Sequence, residues 1–250
     1  MEKARRERNL RRLVTLHGPH MAPARRTRLA VAVLAAALAL GLAAAVALAG
    51  VTVYANNFSR KSEAKQLKHV DGKRCDKRWR KKAKAVLIEV KKGPGACGYR
   101  PPVEGDTDGP DHDFQAEGKL LRATPKGLRG SAYVAIAVRA GKSSHYELRI
   151  FPKKHKYELR RAPADGAGGF PKTGKTRAIK GVNKRNVLRL KAVGNKVTAT
   201  VNSRKVAQVT DPNAGQVGGR RLEVSVGNKR STNKDVVVSL DNLKLQVPNP

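Results

Sequence analysis

Residues 186–210 read NVLRLKAVGNKVTATVNSRKVAQVT, and this stretch decides the fold. Apolar and polar residues alternate through NVLRLKAV, again through KVTATV, and again through KVAQVT. A period of two residues is typical of a strand that buries one face. The pairs Gly-Asn and Asn-Ser separate the three segments, and both are turn-forming pairs. The stretch therefore predicts three antiparallel strands joined by tight turns.

The same period continues on both sides of this stretch. Alternating or apolar runs occupy residues 85–90, 132–139, 145–151, 156–160, 222–226 and 236–247. In the last run the apolar phase slips at Asp241-Asn242, as a β-bulge would produce. No helical period is convincing after residue 84. Short strands with frequent turn signals predict an all-β domain, an antiparallel β-sandwich of the jelly-roll type, over residues 85–250.

Short motifs follow one another here in a fixed order: N-x-L-R from Asn186, Gly194-Asn195, Val201-Asn202, GQVGG from Gly215, and Asp241-Asn242-Leu243. This order resembles the concanavalin A-like lectin/glucanase superfamily, and within it bacterial laminin-G-like jelly-roll domains. The resemblance covers residues 112–247. Ser203 stands where the resembling domains have glycine in the V-N-G turn. The resemblance implies the fold, which hosts binders, enzymes and spacers alike.

An apolar run precedes the strands: residues 29–53 read LAVAVLAAALALGLAAAVALAGVTV, without a charge. A helix of roughly 20 apolar residues crosses a bilayer. We expect a single transmembrane helix here, a signal anchor, with residues 1–28 as a basic cytoplasmic tail and the C-terminal domain outside the cell membrane. Ala47-Leu48-Ala49 leaves cleavage open, which would give a secreted protein, and Met21 is an alternative start.

The formal net charge is +34. Residues 54–84 are rich in Lys and Arg and are predicted to form a basic stalk between helix and sandwich. A domain this basic attracts polyanions, and salt weakens the attraction. The expected partners are the membrane and an anionic polysaccharide or cell-wall polymer. Specific nucleic-acid binding is disfavoured, because aromatic residues are only 4% of the chain and no segment is typical of a recognition helix.

The chain has two cysteines, Cys75 and Cys97. Two thiols beyond a predicted membrane span indicate a disulfide in an oxidising compartment. The alternative is two free thiols in a reducing compartment. With two cysteines and no histidine at ligand spacing nearby, a zinc site is not expected.

Recognisable catalytic patterns are few. The retaining-glucanase pattern E-x-D-x-x-E does not occur. Glu147 and Glu158 alternate with Arg149 and Arg160. The arginine charges are expected to lower the pKa of each glutamate, which makes both glutamates poor general acids. The phosphate-loop match in residues 169–176 lacks its strand and helix. We expect a non-catalytic binding domain. The alternatives are a glycoside-hydrolase relative, with a carboxylate pair that spacing does not reveal, and a structural spacer.

Two sets of candidate site residues follow. Side chains of the sandwich predicted to bind a ligand are Tyr133, Arg139, Arg149 and Arg160. The acidic loop EGDTDGPDHD supplies candidate Ca²⁺ ligands, because alternating carboxylates suit a hard cation: Asp106, Asp108, Asp111 and Asp113. The full calcium-loop spacing is absent, so an ordinary polar loop, or an acidic partner for the domain's own basic side chains, stays open.

Overall fold

The computed structural model describes residues 51–91, 95–103, 111–141, 144–163, 172–214, 217, 221–229 and 235–247. These residues form two antiparallel sheets that face each other. In spatial order, sheet A contains β13 (Arg204–Thr210), β12 (Lys196–Val201), β11 (Asn186–Val193), β6 (His112–Leu120), β15 (Val236–Val247), β4 (Ala85–Val90) and β3 (Cys75–Arg80), and β1 (Val51–Asn56) also pairs with β15.

Sheet B contains, in spatial order, β10 (Lys172–Lys175), β9 (Lys156–Pro163), β8 (Ser144–Phe151), β7 (Ala132–Ala140), β14 (Arg221–Asn228), β5 (Gly95–Arg100) and β2 (Lys68–Asp71). One short helix, α1 (Lys61–Gln66), and the 3-10 turns Lys81–Ala83 and Pro152–Lys154 complete the described elements. The prediction of an all-β antiparallel sandwich is confirmed.

The core lies between the inner faces of the two sheets. On β11, Leu188 and Leu190 are fully buried, whereas Arg189 between them is exposed, so the period of two residues is what fills the core. Gly118 of β6 marks a close approach of the sheets, because a Cβ there would lie 2.6 Å from the side chain of Val134 on β7. Interdigitated apolar side chains, aliphatic and aromatic, thus fill the space between the sheets.

The three strands predicted from residues 186–210 form as expected. Strands β11, β12 and β13 are consecutive antiparallel neighbours, and Gly194 takes the left-handed conformation, φ +52°, in the first turn. The bulge predicted in the last strand is also present: the pairing of β15 with β6 shifts between Asp241 and Lys244, and Asn242 has φ +45°. Beyond the bulge β15 pairs with β1 instead of β4.

The prediction of a separate stalk over residues 54–84 is wrong. Most of β1, α1, β2 and β3 lie within that range, and the strands pair with β15, β5 and β4 of the two sheets. Trp79 of β3 packs against the core, and its indole Nε1 donates a hydrogen bond to the carbonyl of Phe58 at 2.8 Å. The charge run obscured this, because β3 is an edge strand and edge strands carry exposed basic residues that block further pairing.

The predicted membrane helix is corrected at its C-terminal end. Val51 and Val53, with Thr52 between them, begin β1, where Val51 pairs with Val247. Residues 29–50, like the predicted tail, lie outside the described residues. Within the described part of the chain, no helix has the length and apolar character needed to cross a membrane.

The predicted disulfide is confirmed. Cys75 of β3 and Cys97 of β5 are bonded, with their Cα atoms 5.7 Å apart. Because β3 belongs to sheet A and β5 to sheet B, the bond links the two sheets at one edge of the sandwich. Closing a chain segment of 22 residues in the unfolded state contributes about 3 kcal/mol to stability.

Candidate functional site

The candidate site is the outer face of sheet B, where cross-strand pairing aligns side chains into three rows. The first row contains Lys156, Phe151, Tyr133, Gly227 and Ala96; the second contains Thr173, Glu158, Arg149, Ala135, Ser225 and Gly98; the third contains Arg160, Glu147, Ala137 and Glu223. Most positions of the middle strands β7, β14 and β5 on this face hold glycine, alanine or serine. Longer side chains from the neighbouring strands therefore lie across them.

Tyr133 lies opposite a glycine, and the absence of a side chain there leaves room for the tyrosine ring. Its ring lies over Gly227 of β14, where a Cβ would lie 2.6 Å from the ring carbon Cε1 and closer still to Cζ and Oη. The guanidinium of Arg149 stacks on this ring, 4.6 Å from its centroid. Burial raises the pKa of Tyr133 to about 12, so its hydroxyl stays protonated at physiological pH.

Glu147 is the central carboxylate of the outer face. Its Oε2 accepts a hydrogen bond from Nε of Arg149 at 2.8 Å and lies 3.6 Å from Nε of Arg160. Its Oε1 accepts from Oγ of Ser225 at 3.4 Å, which it reaches across the small residues of β7. Burial alone would raise the pKa of Glu147, but the hydrogen bond from His145 and the charge of Arg149 lower it below its ordinary value. The direction expected from the alternating arginines is found for Glu147, where Arg149 acts together with His145.

A second cluster lies beside the first, at the Phe151 end of the face. Glu158 accepts hydrogen bonds from Nζ of Lys156 at 2.9 Å and from Nζ of Lys229 at 2.8 Å. The same two ammonium groups lie 5.8 and 5.1 Å from the centroid of the Phe151 ring. These hydrogen bonds overcome the effect of burial and lower the pKa of Glu158. The aromatic ring is thus covered by cations.

Basic groups outnumber carboxylates on this face. The described residues of the strands of sheet B, with Lys229 directly after β14, place seven basic side chains and four carboxylates on this face: Lys68, Arg100, Arg149, Lys156, Arg160, Lys175 and Lys229 against Asp71, Glu147, Glu158 and Glu223. Three of the four carboxylates, Glu147, Glu158 and Glu223, already form ion pairs within the sheet. The outward field of the face is therefore positive, and Arg160, Lys175 and Lys229 are among its accessible cations.

The structure brings together three of the four predicted ligand-binding residues and separates the fourth. Arg139 is only 2% exposed and has φ +52°, at a position where the pairing of β7 with β14 is irregular. The irregularity turns its side chain away from the outer face. Its Nη2 donates to Oδ1 of Asp111 at 2.8 Å and to the carbonyl of Gly194 at 2.7 Å. Arg139 therefore joins the β11–β12 turn to the segment before β6.

The candidate calcium ligands that are described are engaged by arginines. Asp111 pairs with Arg139, and Asp113 forms a two-pronged pair with Arg189 of β11, at 2.7 Å to Nε and 2.5 Å to Nη2. Asp106 and Asp108 lie outside the described residues. Among the residues that are described, no three His, Cys, Asp or Glu side chains are placed to hold a metal ion. Asp111 and Asp113 are thus acidic partners of the domain's own arginines, which is one of the alternatives that the sequence left open.

Comparison with known proteins identifies the fold but no family. No protein-family profile matches the chain, and no curated protein matches it. Solved structures do match, among them a laminarinase from Flavobacterium sp. UMI-01, with a TM-score of 0.56, 11% identity, and 78% of this chain and 100% of that chain covered. The carbohydrate-binding module CBM66 from Bacillus subtilis gives 0.52 at 14% identity, covering 72% and 95% of the two chains.

A Bacillus licheniformis β-glucanase gives a TM-score of 0.54 at 9% identity, covering 79% of this chain and 98% of that chain. All three matches cover most of the described sandwich, so the chain shares the architecture of these proteins. At such low identity the similarity establishes the architecture and leaves the activity to be argued from this chain's own side chains.

One pair of carboxylates was missed in the sequence because its members are far apart. Glu117 of β6 and Asp241 of β15 are direct cross-strand partners on the outer face of sheet A. Burial and the charge of Glu117 raise the pKa of Asp241 above its ordinary value. Arg185 lies 3.1 Å from Glu117 and 3.9 Å from Asp241 and bridges them. Only the phase slip at Asp241 marked this position in the sequence.

Proposed function

We propose that this chain is an envelope protein whose sandwich is a non-catalytic carbohydrate-binding module for an anionic glycan or cell-wall polymer. The observation that carries the proposal is the outer face of sheet B, where seven basic side chains of the described residues stand against four carboxylates, three of which are already ion-paired. An extended polyanion laid across this face would meet Arg160, Lys175 and Lys229 first. The fixed guanidinium of Arg149 lies between them, stacked on Tyr133.

The side chains of this face support binding without catalysis. A glycosidase needs one carboxyl group with a raised pKa to act as general acid and a second carboxylate opposite it. The pKa values of Glu147 and Glu158 are both lowered, by hydrogen bonds and charges from the basic groups around them. Both therefore stay ionised at neutral pH and serve to fix the positions of the cations.

Two further features support the extracytoplasmic placement in this proposal. The disulfide between Cys75 and Cys97 is of the kind that persists in oxidising compartments. The apolar run that precedes β1 would serve as the membrane anchor, or as a signal peptide if it is cleaved after Ala49. Either way the sandwich lies outside the membrane. That one structural neighbour is a carbohydrate-binding module agrees with this use of the fold.

A pull-down experiment tests the proposal. Full-length protein, kept in a detergent without a sugar headgroup, is mixed with insoluble polygalacturonate or with neutral cellulose. We expect retention on the anionic polymer and little on the neutral one. The triple variant Arg160→Gln/Lys175→Gln/Lys229→Gln should lose retention. Its matched control, Lys196→Gln/Arg204→Gln/Lys205→Gln, removes the same charge from exposed positions around the β12–β13 hairpin of sheet A and should keep it. Equal loss in both variants would show that only net charge matters.

A glycoside hydrolase is the second candidate function, and the Glu117–Asp241 pair favours it. Carboxyl groups on directly opposed residues come within roughly 5 Å, the separation used by retaining glycosidases. The raised pKa of Asp241 suits a general acid, with Glu117 as the nucleophile. Release of reducing sugar from a β-glucan that disappears in Asp241→Asn would support this function. The bridge formed by Arg185 favours the binding role, because it neutralises both groups.

A further inference from the structure

A polar cleft lies on sheet A, away from the outer face of sheet B. Its volume is about 480 Å³, within the range of small-molecule sites. Its floor is one cross-strand row, Gln115 of β6, Lys244 of β15 and Ala55 of β1. The bulge residue Asn242 borders it on one side, and Gln66 of α1 borders it on another. We call this site the amide cleft.

The wall formed by residues 54–63 is fixed by internal hydrogen bonds. The side chain of Asn56 donates to the hydroxyl of Tyr54 at 3.0 Å and accepts from the backbone N–H of Phe58 at 2.8 Å. Phe58 is fully buried with φ +49°, a conformation held in part by the hydrogen bond from Trp79 to its carbonyl. Glu63 accepts from the hydroxyl of Ser59. This side of the cleft is therefore preformed.

Three further amide side chains line the cleft. Within the described part of the chain, the side chains of Gln66, Gln115 and Asn242 make no hydrogen bond, and Lys244 makes no ion pair. The side-chain amide of Asn56 holds the loop in place, whereas the other three amides form no hydrogen bond with the described residues. The amide cleft thus offers several donors and acceptors together on a preformed surface.

We propose that the amide cleft binds one or two units of a neutral sugar. A sugar hydroxyl both donates and accepts, and a carboxamide offers both a donor and an acceptor to it. The charges in the cleft, Glu63 and Lys244, are of opposite sign, so the cleft has no net preference for an ion. The ring of Tyr54 adds an apolar surface beside the amides. This site is separate from the polyanion face in both position and chemistry.

The test uses full-length protein in a detergent without a sugar headgroup, titrated with glucose, N-acetylglucosamine, cellobiose and maltose. We expect at least one sugar to bind, with a dissociation constant of roughly 0.1–10 mM, unchanged between low and high salt. Gln115→Ala and Gln66→Ala should each weaken binding about tenfold or more, corresponding to roughly 1.4 kcal/mol. Gln208→Ala, an amide of β13 outside the cleft, is the matched control and should bind normally.

Side-chain amide signals in NMR spectra give an independent readout. The bound sugar should shift the NH₂ resonances of Gln115 and Asn242 and leave those of Gln208 in place. The proposal is overturned if none of the four sugars binds, or if binding survives both cleft variants. Neither result touches the polyanion proposal, which the variants of sheet B test separately. Loss of polyanion binding in those variants with sugar binding intact would leave this site standing.

Discussion

Replacing Gly227 by alanine tests how the outer face of sheet B is built. The φ of Gly227 lies outside the left-handed region, so the backbone accepts alanine without strain. The new methyl group, however, would lie 2.6 Å from Cε1 of the Tyr133 ring and nearer still to Cζ and Oη. The ring is buried and is covered by Arg149, so it has nowhere to move without breaking that stack.

The magnitude follows from two opposing terms. Overpacking a buried site costs roughly 1–3 kcal/mol. Replacing glycine by alanine in a strand returns about 0.5–1 kcal/mol of backbone entropy. We therefore expect Gly227→Ala to lower the free energy of unfolding by about 1–2 kcal/mol. Gly95→Ala, in β5 of the same sheet, has no atom within 4 Å of its new methyl and should be neutral or stabilising by up to about 1 kcal/mol.

Equilibrium unfolding in urea, followed by the fluorescence of Trp79, the single tryptophan, measures both variants. A double-mutant cycle isolates the cause: in a Tyr133→Ala background the cost of Gly227→Ala should vanish, giving a coupling of roughly 2 kcal/mol. If Gly227→Ala matches Gly95→Ala in the wild-type background, Tyr133 does not lie over β14 and the described site geometry is incorrect.

Three further predictions concern the Cys75–Cys97 disulfide, the ion pairs of Glu147 and the buried Arg139. Removing the disulfide with Cys75→Ala/Cys97→Ala should lower the free energy of unfolding by about 3 kcal/mol. An unchanged free energy of unfolding in urea titrations would contradict its role in linking the sheets. The folded-state pKa of Glu147 lies below its ordinary value of 4.5, so its ion pairs stabilise the fold above pH 4.5 and this stabilisation is lost as the pH falls through the folded-state pKa. Glu147→Gln should therefore lower the free energy of unfolding at neutral pH and flatten the acid branch of a stability–pH curve. An unchanged acid branch would refute the pairing. Asp111→Asn should cost about 1.5–3 kcal/mol by leaving the Arg139 guanidinium without its carboxylate, measured by thermal unfolding, with no change expected in polygalacturonate retention.

Strands that alternate clearly were predictable from local sequence. In β11 and β12, leucine, valine and alanine occupy every second position, so one face is apolar whatever the partner strand is. The bulge at Asp241-Asn242 was predictable for the same reason, because an extra residue in one strand shifts the alternation by one position. The ion pairs of Glu147 with Arg149 and of Glu158 with Lys156 also follow from alternation, since side chains two residues apart in a strand share a face.

What local sequence does not contain is which strands become neighbours. Glu117 and Asp241 meet only because β6 and β15 pair, and Gln115 joins the amide cleft for the same reason. Edge strand β3 was obscured because its exposed charges, which protect the edge from further pairing, mask the half-buried Trp79. Arg139 lies in an alternating run that predicts the outer face. A single irregular residue pair, visible only in the pairing of β7 with β14, reverses its direction.

The salt dependence of polyanion binding is the decisive test of the role proposed for the outer face of sheet B. The dissociation constant for soluble polygalacturonate is measured over a series of salt concentrations, for wild-type protein and for Arg160→Gln/Lys175→Gln/Lys229→Gln. Because the contacts are between exposed charges, we predict a steep loss of affinity with salt for the wild type and a clearly shallower slope for the variant. Affinity that is independent of salt, or identical slopes for the two proteins, would contradict a polyanion-binding role for the outer face of sheet B.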